Sequence, residues 1–287
     1  MSTVPPAETL TLCADDYGLA PGVSRAIRQL IAQGRLHATG CMAGSPHWPA
    51  EAPALRELRD RADIGIHLTL TEQVPLGPMP DLAPGGRLPG VGELVKRTVA
   101  RRVDRAEIAA ELERQFDAFE SAFGRAPDFI DGHHHVHQLP GVREAVLDLW
   151  RRRMGGRGWV RSCWEPPLAV LARRVDAARA LVISELGRGL RLRMTAEGVP
   201  HNRSFRGVYD LGDRIPYGRL FRAFVDRPPP ATLVMCHPGL VDEDLKRADS
   251  LTGRREVEFR YLASEACARV LAERGLRLGR LEPAPAP

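Results

Sequence analysis

Cysteine is scarce in this 287-residue chain, and the cysteine spacing argues against two cysteine-based ways of stabilising a fold. The five cysteines are odd in number and none forms a Cys-x-x-Cys pair, so we expect neither a disulfide framework nor a structural zinc site. The chain also lacks the run of ~18 uncharged residues that a membrane span needs. Its first residues have neither the basic start nor the apolar core of a signal peptide. We therefore expect no membrane span and a cytoplasmic location.

Phosphate-binding loops and a strong excess of one charge are missing as well. No Gly-x-Gly-x-x-Gly or Gly-Lys-Ser/Thr pattern occurs, which argues against dinucleotide or P-loop chemistry. Lys+Arg exceed Asp+Glu by only 41 to 36, and the arginines are scattered over helical faces, where we expect them to be solvated. No nucleic-acid partner is expected.

Strand-like and helix-like patterns alternate along most of the chain. A β-prone run at 9–14 precedes a helix opened by proline at 21–33, and the unit then recurs. The clearest helix follows a capping-box-like Asp104, carries an apolar stripe up to Phe123 and stops at Gly124. This alternation favours parallel strands. The sequence predicts an α/β fold, an irregular, TIM-barrel-like (β/α) barrel with parallel strands.

One segment departs from this alternation. From residue 71 to 92 the periodicity disappears, and prolines and glycines dominate. A loop of this length in a compact domain is more often functional than idle, so residues 71–103 are predicted to form a long loop insertion near the functional site. Residues 1–281, including this insertion, are predicted to form a single domain, and the tail at 282–287 is expected to be disordered.

The strongest functional signal is the histidine cluster at residues 131–137, Asp-Gly-His-His-His-Val-His. Four imidazoles in five positions are hard to explain as packing, because each buried ring needs a hydrogen-bond partner. The apolar Phe129 and Ile130 lead into the cluster, which places it at the exit of a short strand. If the segment is extended, neighbouring side chains face opposite ways and at most two or three can reach one ion. The cluster predicts a metal site.

Polar side chains also stand at the carboxyl ends of three other predicted strands. They are Asp15 with Asp16, His67, and His237. Taken alone, the aspartates could be turn or N-cap residues, His67 a packed histidine, and His237 a turn residue. In a parallel barrel, however, these strand ends converge on one face. One carboxylate and two imidazoles with open coordination positions suit a divalent Lewis-acid metal.

Four short blocks stand out along the chain: Ala14-Asp15-Asp16-Tyr17-Gly18, Gly65-Ile66-His67-Leu68-Thr69, Asp131-Gly132-His133-His134-His135-Val136-His137 and Cys236-His237-Pro238-Gly239. Together they resemble the signature blocks of the YdjC-type carbohydrate deacetylases, which include chitooligosaccharide deacetylases and the deacetylase associated with hopanoid biosynthesis. The resemblance spans about residues 10–281, with the blocks in family order.

The resemblance implies a hydrolase that removes an acetyl group from an N-acetylated amino sugar, carried by an oligosaccharide or a glycolipid. It implies one divalent metal ion, Mg or Zn, bound by Asp16, His67 and His133. Asp15 would be the general base, and His237 the acid that protonates the leaving amine. The roles of His134, His135 and His137 stay open, and so does the choice of metal.

Two other functions use the same residue types. A metal-dependent phosphoesterase would normally bind two ions ~3.5–4 Å apart with a bridging carboxylate. A non-catalytic metal-binding or carbohydrate-binding protein would fill its ion's coordination shell with protein ligands alone. The number of ions per chain and the presence of an open coordination position separate these readings. A homodimer is the default expectation for the assembly.

Overall fold

A computed structural model of the chain describes residues 8–283, so most of the tail expected to be disordered, at 284–287, lies outside the described residues. The described part contains eight strands. They are β1 (Glu8–Tyr17), β2 (Ala38–Cys41), β3 (Asp63–Leu68), β4 (Phe129–Gly132), β5 (Trp159–Val160), β6 (Ser204–Arg206), β7 (Thr232–Cys236) and β8 (Leu276–Leu278).

All strand pairings in this sheet are parallel, in the order β5-β4-β3-β2-β1-β7-β6. The short strand β8 pairs with the beginning of β1, so β1 has three neighbours and lies in the interior of the sheet. The sheet curls into a half-barrel surrounded by helices, which confirms the predicted α/β barrel with parallel strands. Because all the strands run in the same direction, their carboxyl ends lie on one face of the half-barrel.

The gap between the two edge strands, β5 and β6, is bridged by a side chain. Asn202 accepts a hydrogen bond from the Ser162 amide at 2.8 Å, and its own amide donates to the carbonyl oxygens of Ser162 and Ser204 at 2.8 and 3.0 Å. The backbone of Val160 adds one bond to the Pro200 carbonyl at 2.9 Å. Because the amide group of Asn202 imitates a peptide unit, it continues the ladder where no strand pairing is formed.

Eleven α-helices lie in the described residues, and none of them is long and apolar enough to cross a membrane. They are α1 (Pro21–Ala32), α2 (Trp48–Arg56), α3 (Val91–Val99), α4 (Arg105–Phe123), α5 (Val142–Met154), α6 (Pro167–Arg173), α7 (Ala177–Ala196), α8 (Tyr217–Phe224), α9 (Glu243–Ala248), α10 (Thr252–Leu262) and α11 (Glu265–Glu273).

The helix expected after Asp104 is found as α4. The Asp104 side chain accepts hydrogen bonds from the amides of Ala106 and Glu107, and Gly124 ends the helix in a left-handed conformation with φ +85°. The apolar stripe is buried, and Phe119 stacks on Trp48 of α2 with ring centroids 5.2 Å apart. The sequence pattern therefore fixes both the ends and the buried face of this helix.

Two predicted helices are broken in the structure. The Ala-, Leu- and Arg-rich sequence at 166–193 predicts one helix, but the structure divides it into α6 and α7, because Arg174 and Asp176 adopt left-handed backbone conformations. The segment 254–274 also predicts one helix, but it divides into α10 and α11, because the Ser264 side chain accepts from the Cys267 amide and starts a new helix. Continuous helical composition masked both breaks, and α3 was missed inside the irregular segment after residue 71.

Candidate metal centre

A cavity of about 1980 Å³ opens at the carboxyl ends of the strands, and every residue expected at the site lines it. Asp15 and Asp16 come from the end of β1, His67 from β3, His133 from the turn after β4, and His237 from the end of β7. The segment after residue 71 supplies further wall residues, among them Val74 and Leu76. The half-barrel thus gathers five side chains that lie far apart in sequence.

A bulge in β1 aims both aspartates at the cavity. The register of β1 against β2 shifts between Ala14 and Tyr17, and Asp16 has a left-handed backbone with φ +69°. In a regular strand adjacent side chains alternate between the two faces, whereas a bulge re-aims one of them. Asp15 and Asp16 consequently both line the cavity, although their immediate partners differ.

Three ligand-type atoms converge at the floor of the cavity. Oδ1 of Asp16 lies 2.9 Å from Nδ1 of His133 and 3.3 Å from Nε2 of His67. One ligand-type atom from each of the three residues lies within 4.8 Å of the other two, and Asp16 and His67 are almost fully buried. One carboxylate oxygen and two imidazole nitrogens at such spacing are a donor set that a single divalent ion can bind, with positions left for solvent or substrate. The residues therefore fit a metal.

Asp131 orients the His67 ring from behind. Its Oδ1 accepts from Nδ1 of His67 at 2.6 Å, which leaves Nε2 directed at Asp16. Burial opposes charge on this imidazole, but Asp131 and Asp15 outweigh it and raise the pKa of His67 to about 10. A metal ion bound by this imidazole would have to displace the second proton of the charged ring. A carboxylate behind a ligand histidine is the usual support for such a ring.

The pair of His67 and Asp131 fits only because residue 40 is glycine. A Cβ atom on Gly40 of β2 would lie 2.8 Å from Nδ1 of His67 and 2.9 Å from Oδ1 of Asp131. Real Cβ atoms do not approach polar atoms so closely. The glycine in the neighbouring strand is therefore a condition for this hydrogen bond.

Asp15 is held by a buried arginine. Nη1 and Nη2 of Arg161 donate to the two Asp15 oxygens at 2.8 and 2.6 Å, and Nη2 also lies 2.6 Å from Oδ2 of Asp131. Burial disfavours the Asp15 carboxylate, yet Arg161, followed by His67, outweighs this and holds the pKa of Asp15 well below its usual range. Asp15 is therefore ionised at every physiological pH, and it is a weak base.

Asp16 is fixed on its other side by Arg255 of α10. Nη2 of Arg255 donates to Oδ2 of Asp16 at 2.6 Å and to Oδ2 of Asp249 at 2.7 Å. Because Oδ2 is engaged, Oδ1 is the atom left for the ligand cluster that Asp16 forms with His67 and His133. The expectation that the helix arginines are solvated is wrong for Arg255, which is buried between these two carboxylates.

His237 stands at the wall of the cavity, directly after β7. Its ring lines the same cavity as Asp15 and His133. Its main-chain N–H donates to Oε2 of Glu258 on α10 at 2.7 Å. In the part of the chain that the structure describes, its buried Nδ1 has no hydrogen-bond partner. The position suits a group that exchanges protons with a ligand in the cavity.

A family model described as YdjC-like protein matches residues 9–273. The chain belongs to the YdjC-like family. It is 30% identical over 281 residues to a chitooligosaccharide deacetylase of Yersinia pestis (strain Pestoides F), covering 94% of this chain and 96% of that protein. It is 29% identical over 274 residues to a protein of the same name from Enterobacter sp. (strain 638), with the same coverage. A protein from Enterococcus faecalis V583, crystallised as a candidate for cellobiose-phosphate cleavage, shares the fold at 22% identity, with a TM-score of 0.74 and 96% and 97% of the two chains covered.

The histidine cluster of this YdjC-like chain is not extended, so the expectation of alternating faces is wrong. Residues 133–138 form a 3₁₀ turn in which His134 and His135 have left-handed conformations with φ 51° and 59°. Nδ1 of His134 is bonded to the Thr71 hydroxyl at 2.9 Å, and Nδ1 of His135 lies 3.6 Å from Sγ of Cys163. Only His133 joins the ligand cluster.

His137, the last member of the cluster, is fully buried and bonded through Nε2 to the Arg161 carbonyl at 3.1 Å. Burial lowers the pKa of His137 to about 4, so this ring is neutral. It packs beneath the cavity and does not line it. Its contact with the Arg161 carbonyl ties the histidine turn to the backbone directly after β5.

Sequence reasoning gave no role to four residues that the structure places at the centre: Gly40, Asp131, Arg161 and Arg255. Asp131 could have been found, since it directly precedes the histidine cluster and lies near the carboxyl end of β4. Arg161 lies near the carboxyl end of the strand that the sequence predicts at 159–162, where the other polar site residues were sought, and it directly follows β5 in the structure. Gly40 and Arg255 carried no local signal, because only tertiary packing brings them to the site.

Proposed function

We propose that this YdjC-like chain is a metal-dependent deacetylase that hydrolyses the acetamide of an N-acetylated amino sugar, on an oligosaccharide or a glycolipid. The observation that carries the proposal is the convergence of Asp16, His67 and His133 beside an ionised Asp15 at the floor of one large cavity. The relatives named chitooligosaccharide deacetylase, matched over nearly their whole length, support the same reaction class.

Asp16, His67 and His133 would hold the ion, with His67 directed by Asp131 and Asp16 by Arg255. A divalent ion held there supplies Lewis acidity, which polarises a carbonyl group and makes water easier to deprotonate. That contribution matters here, because Arg161 makes Asp15 a weak base. Asp15 then accepts one proton from the attacking water while its carboxylate stays clamped in place.

The water oxygen forms a bond to the acetyl carbon, and a tetrahedral adduct results. His237 donates a proton to the sugar nitrogen, and the carbon–nitrogen bond breaks. The products are acetic acid and the amine, which are present at neutral pH as acetate and an ammonium group, and the proton held by Asp15 restores the acid form of His237. Water is the only co-reactant.

A two-metal phosphoesterase is less well supported. The second group of ligand-type atoms, from Cys13, Asp15 and Asp131, surrounds the Arg161 guanidinium. Nη2 of Arg161 lies 2.6 Å from an oxygen of each aspartate and 3.0 Å from Sγ of Cys13. A cationic side chain therefore already stands where a second cation would be bound.

The test is acetate release from a panel of N-acetylated sugars, chitooligosaccharides and glycolipids, with and without chelator. We expect release from at least one substrate class, loss of release after chelation, and recovery on adding back Mg or Zn. A phosphate ester panel serves as the control. Phosphate release without acetate release would contradict the proposal.

A further inference from the structure

Glu258 is a fully buried carboxylate at the back of His237. Its Oε2 accepts the main-chain N–H of His237 at 2.7 Å, and its Oε1 accepts the hydroxyl of Tyr209, whose ring lines the cavity. Nε of Arg254 donates to the same hydroxyl at 3.1 Å. A chain of hydrogen bonds thus runs from Arg254 through Tyr209 and Glu258 to His237.

No cation touches the Glu258 carboxylate within residues 8–283, where its hydrogen-bond partners are a neutral hydroxyl and a neutral amide. A buried carboxylate held in this way is costly, and an apolar side chain of the same size would commonly be as stable. Packing therefore gives no reason for an acid at this position. The hydrogen bond from the main-chain N–H of His237 to this carboxylate provides such a reason.

The backbone around His237 is anchored to the same helix at a second point. The amide of Gly239 donates to the carbonyl of Arg255 at 3.0 Å. A Cβ atom on Gly239 would lie 3.2 Å from Cβ of Arg255, so the turn lies close against α10. The His237 ring itself has no partner at its buried Nδ1 among the described residues, so α10 positions this histidine through the main chain.

We propose that Glu258 is a positioning residue for His237, supported by Tyr209, and that it acts by fixing the main chain from which the proton-donating ring extends. The inference rests on the proposed function and deepens it. The same helix also directs Asp16 through Arg255, so α10 sets both the ligand side and the leaving-group side of the reaction. A displacement of the ring by about 1 Å is enough to reduce turnover ~100-fold.

The test is a double-mutant cycle measured by acetate release. Glu258→Met replaces the carboxylate with an apolar side chain that has only a weak acceptor, and Glu258→Gln keeps a strong one. Glu256→Gln, a half-buried glutamate of the same helix paired with Arg260, is the control. We expect Glu258→Met to lower kcat by about 10- to 100-fold with little change in KM or metal content. Glu258→Gln should recover most of that loss, and Glu256→Gln should equal the wild type.

The cycle with His237→Ala separates positioning from general stability. Because Glu258 acts only through His237, Glu258→Met should cause no further loss in kcat in the His237→Ala background. Tyr209→Phe, a second variant that preserves the fold if Glu258→Met does not, should show a smaller loss with the same non-additivity. Additive losses, or wild-type kcat in Glu258→Met, would overturn this inference in an active deacetylase. Absence of acetate release from the wild type would overturn the proposed function and this inference together.

Discussion

Asp15 and Asp16 are neighbours in sequence, but their surroundings give them different chemistry. Arg161 binds both oxygens of Asp15, whereas Arg255 binds one oxygen of Asp16 and leaves the other beside two imidazoles. The first carboxylate is ionised and held in place, and the second shares its free oxygen with the ligand cluster. The division into base and ligand that we propose for them follows from which arginine each one contacts.

Replacing Asp15 with Asn should separate turnover from metal binding. The ligand atoms of Asp16, His67 and His133 are untouched, and Arg161 keeps its contact with Asp131, so metal content should be unchanged. Acetate release should fall by about two to four orders of magnitude, the usual contribution of acid-base catalysis. Metal analysis and kcat on the same preparation check both parts. Wild-type turnover would remove Asp15 from the role of base.

Replacing Gly40 with Ala should weaken metal binding without touching a ligand. The added methyl group would press on both partners of the pair between His67 and Asp131 and move the ring. Loss of such a support typically lowers metal affinity about 10- to 100-fold. Gly92→Ala is the matched control, since a Cβ there meets nothing within 4 Å. Equal metal affinity in the two variants, measured by competitive chelation, would show that the contact is not needed.

At the scale of single residues, the sequence reveals polar side chains at positions where a polar side chain is unusual. Aspartates and histidines at strand ends stand out against apolar runs, so Asp15, Asp16, His67, His133 and His237 could all be named as candidates. Arg161 does not stand out among so many arginines, although it is fully buried. Its burial is a tertiary fact, set by strands that only meet in the folded sheet.

At the scale of elements, β3 carries a residue of the candidate site at one end and a residue that affects stability at the other. Its carboxyl end carries His67 in the candidate metal centre, and its other end begins with Asp63, which receives the Trp159 indole N–H at 3.3 Å. Burial, followed by the nearby Asp128, raises the pKa of Asp63 to about 6. Asp63 is therefore a carboxyl group whose charge the folded state disfavours.

This raised pKa predicts a pH dependence of stability with a definite sign. Between about pH 4 and pH 6 the folded chain keeps the Asp63 proton and the unfolded chain loses it, so the wild type loses stability as the pH rises. Asp63→Asn has no such charge. Its free energy of unfolding relative to the wild type should rise by about 1–3 kcal/mol from pH 4 to pH 7.5. Denaturant titrations at the two pH values measure this, and a constant difference would refute it.

Elements with both a start signal and a stop signal are found where the sequence predicts them. The helix α4 has a capping aspartate, a regular apolar stripe and a terminal glycine, and each signal acts locally. The break between α6 and α7 has no glycine or proline at the left-handed residues Arg174 and Asp176, so local signals could not reveal it. The 3₁₀ turn of the histidines was missed for the same reason.

At the scale of the whole molecule, the parallel half-barrel explains why residues more than 200 positions apart share one site. Every strand ends on the cavity side, so β1, β3, β4 and β7 each deliver a polar group to the same face. Residues in the 71–103 segment line part of the wall, and we propose that this segment shapes access to the cavity. A single domain over 1–281, a cytoplasmic location and a homodimer stay predictions.

The most direct test of the central claim is metal content and acetate release measured together on wild type and His133→Ala. We expect about one divalent ion per wild-type chain, loss of acetate release on chelation, and restoration by that ion. His133→Ala should bind the ion far more weakly and release little acetate, because one of three ligand atoms is gone. Undiminished acetate release from metal-stripped wild type, or full metal content in His133→Ala, would contradict the account.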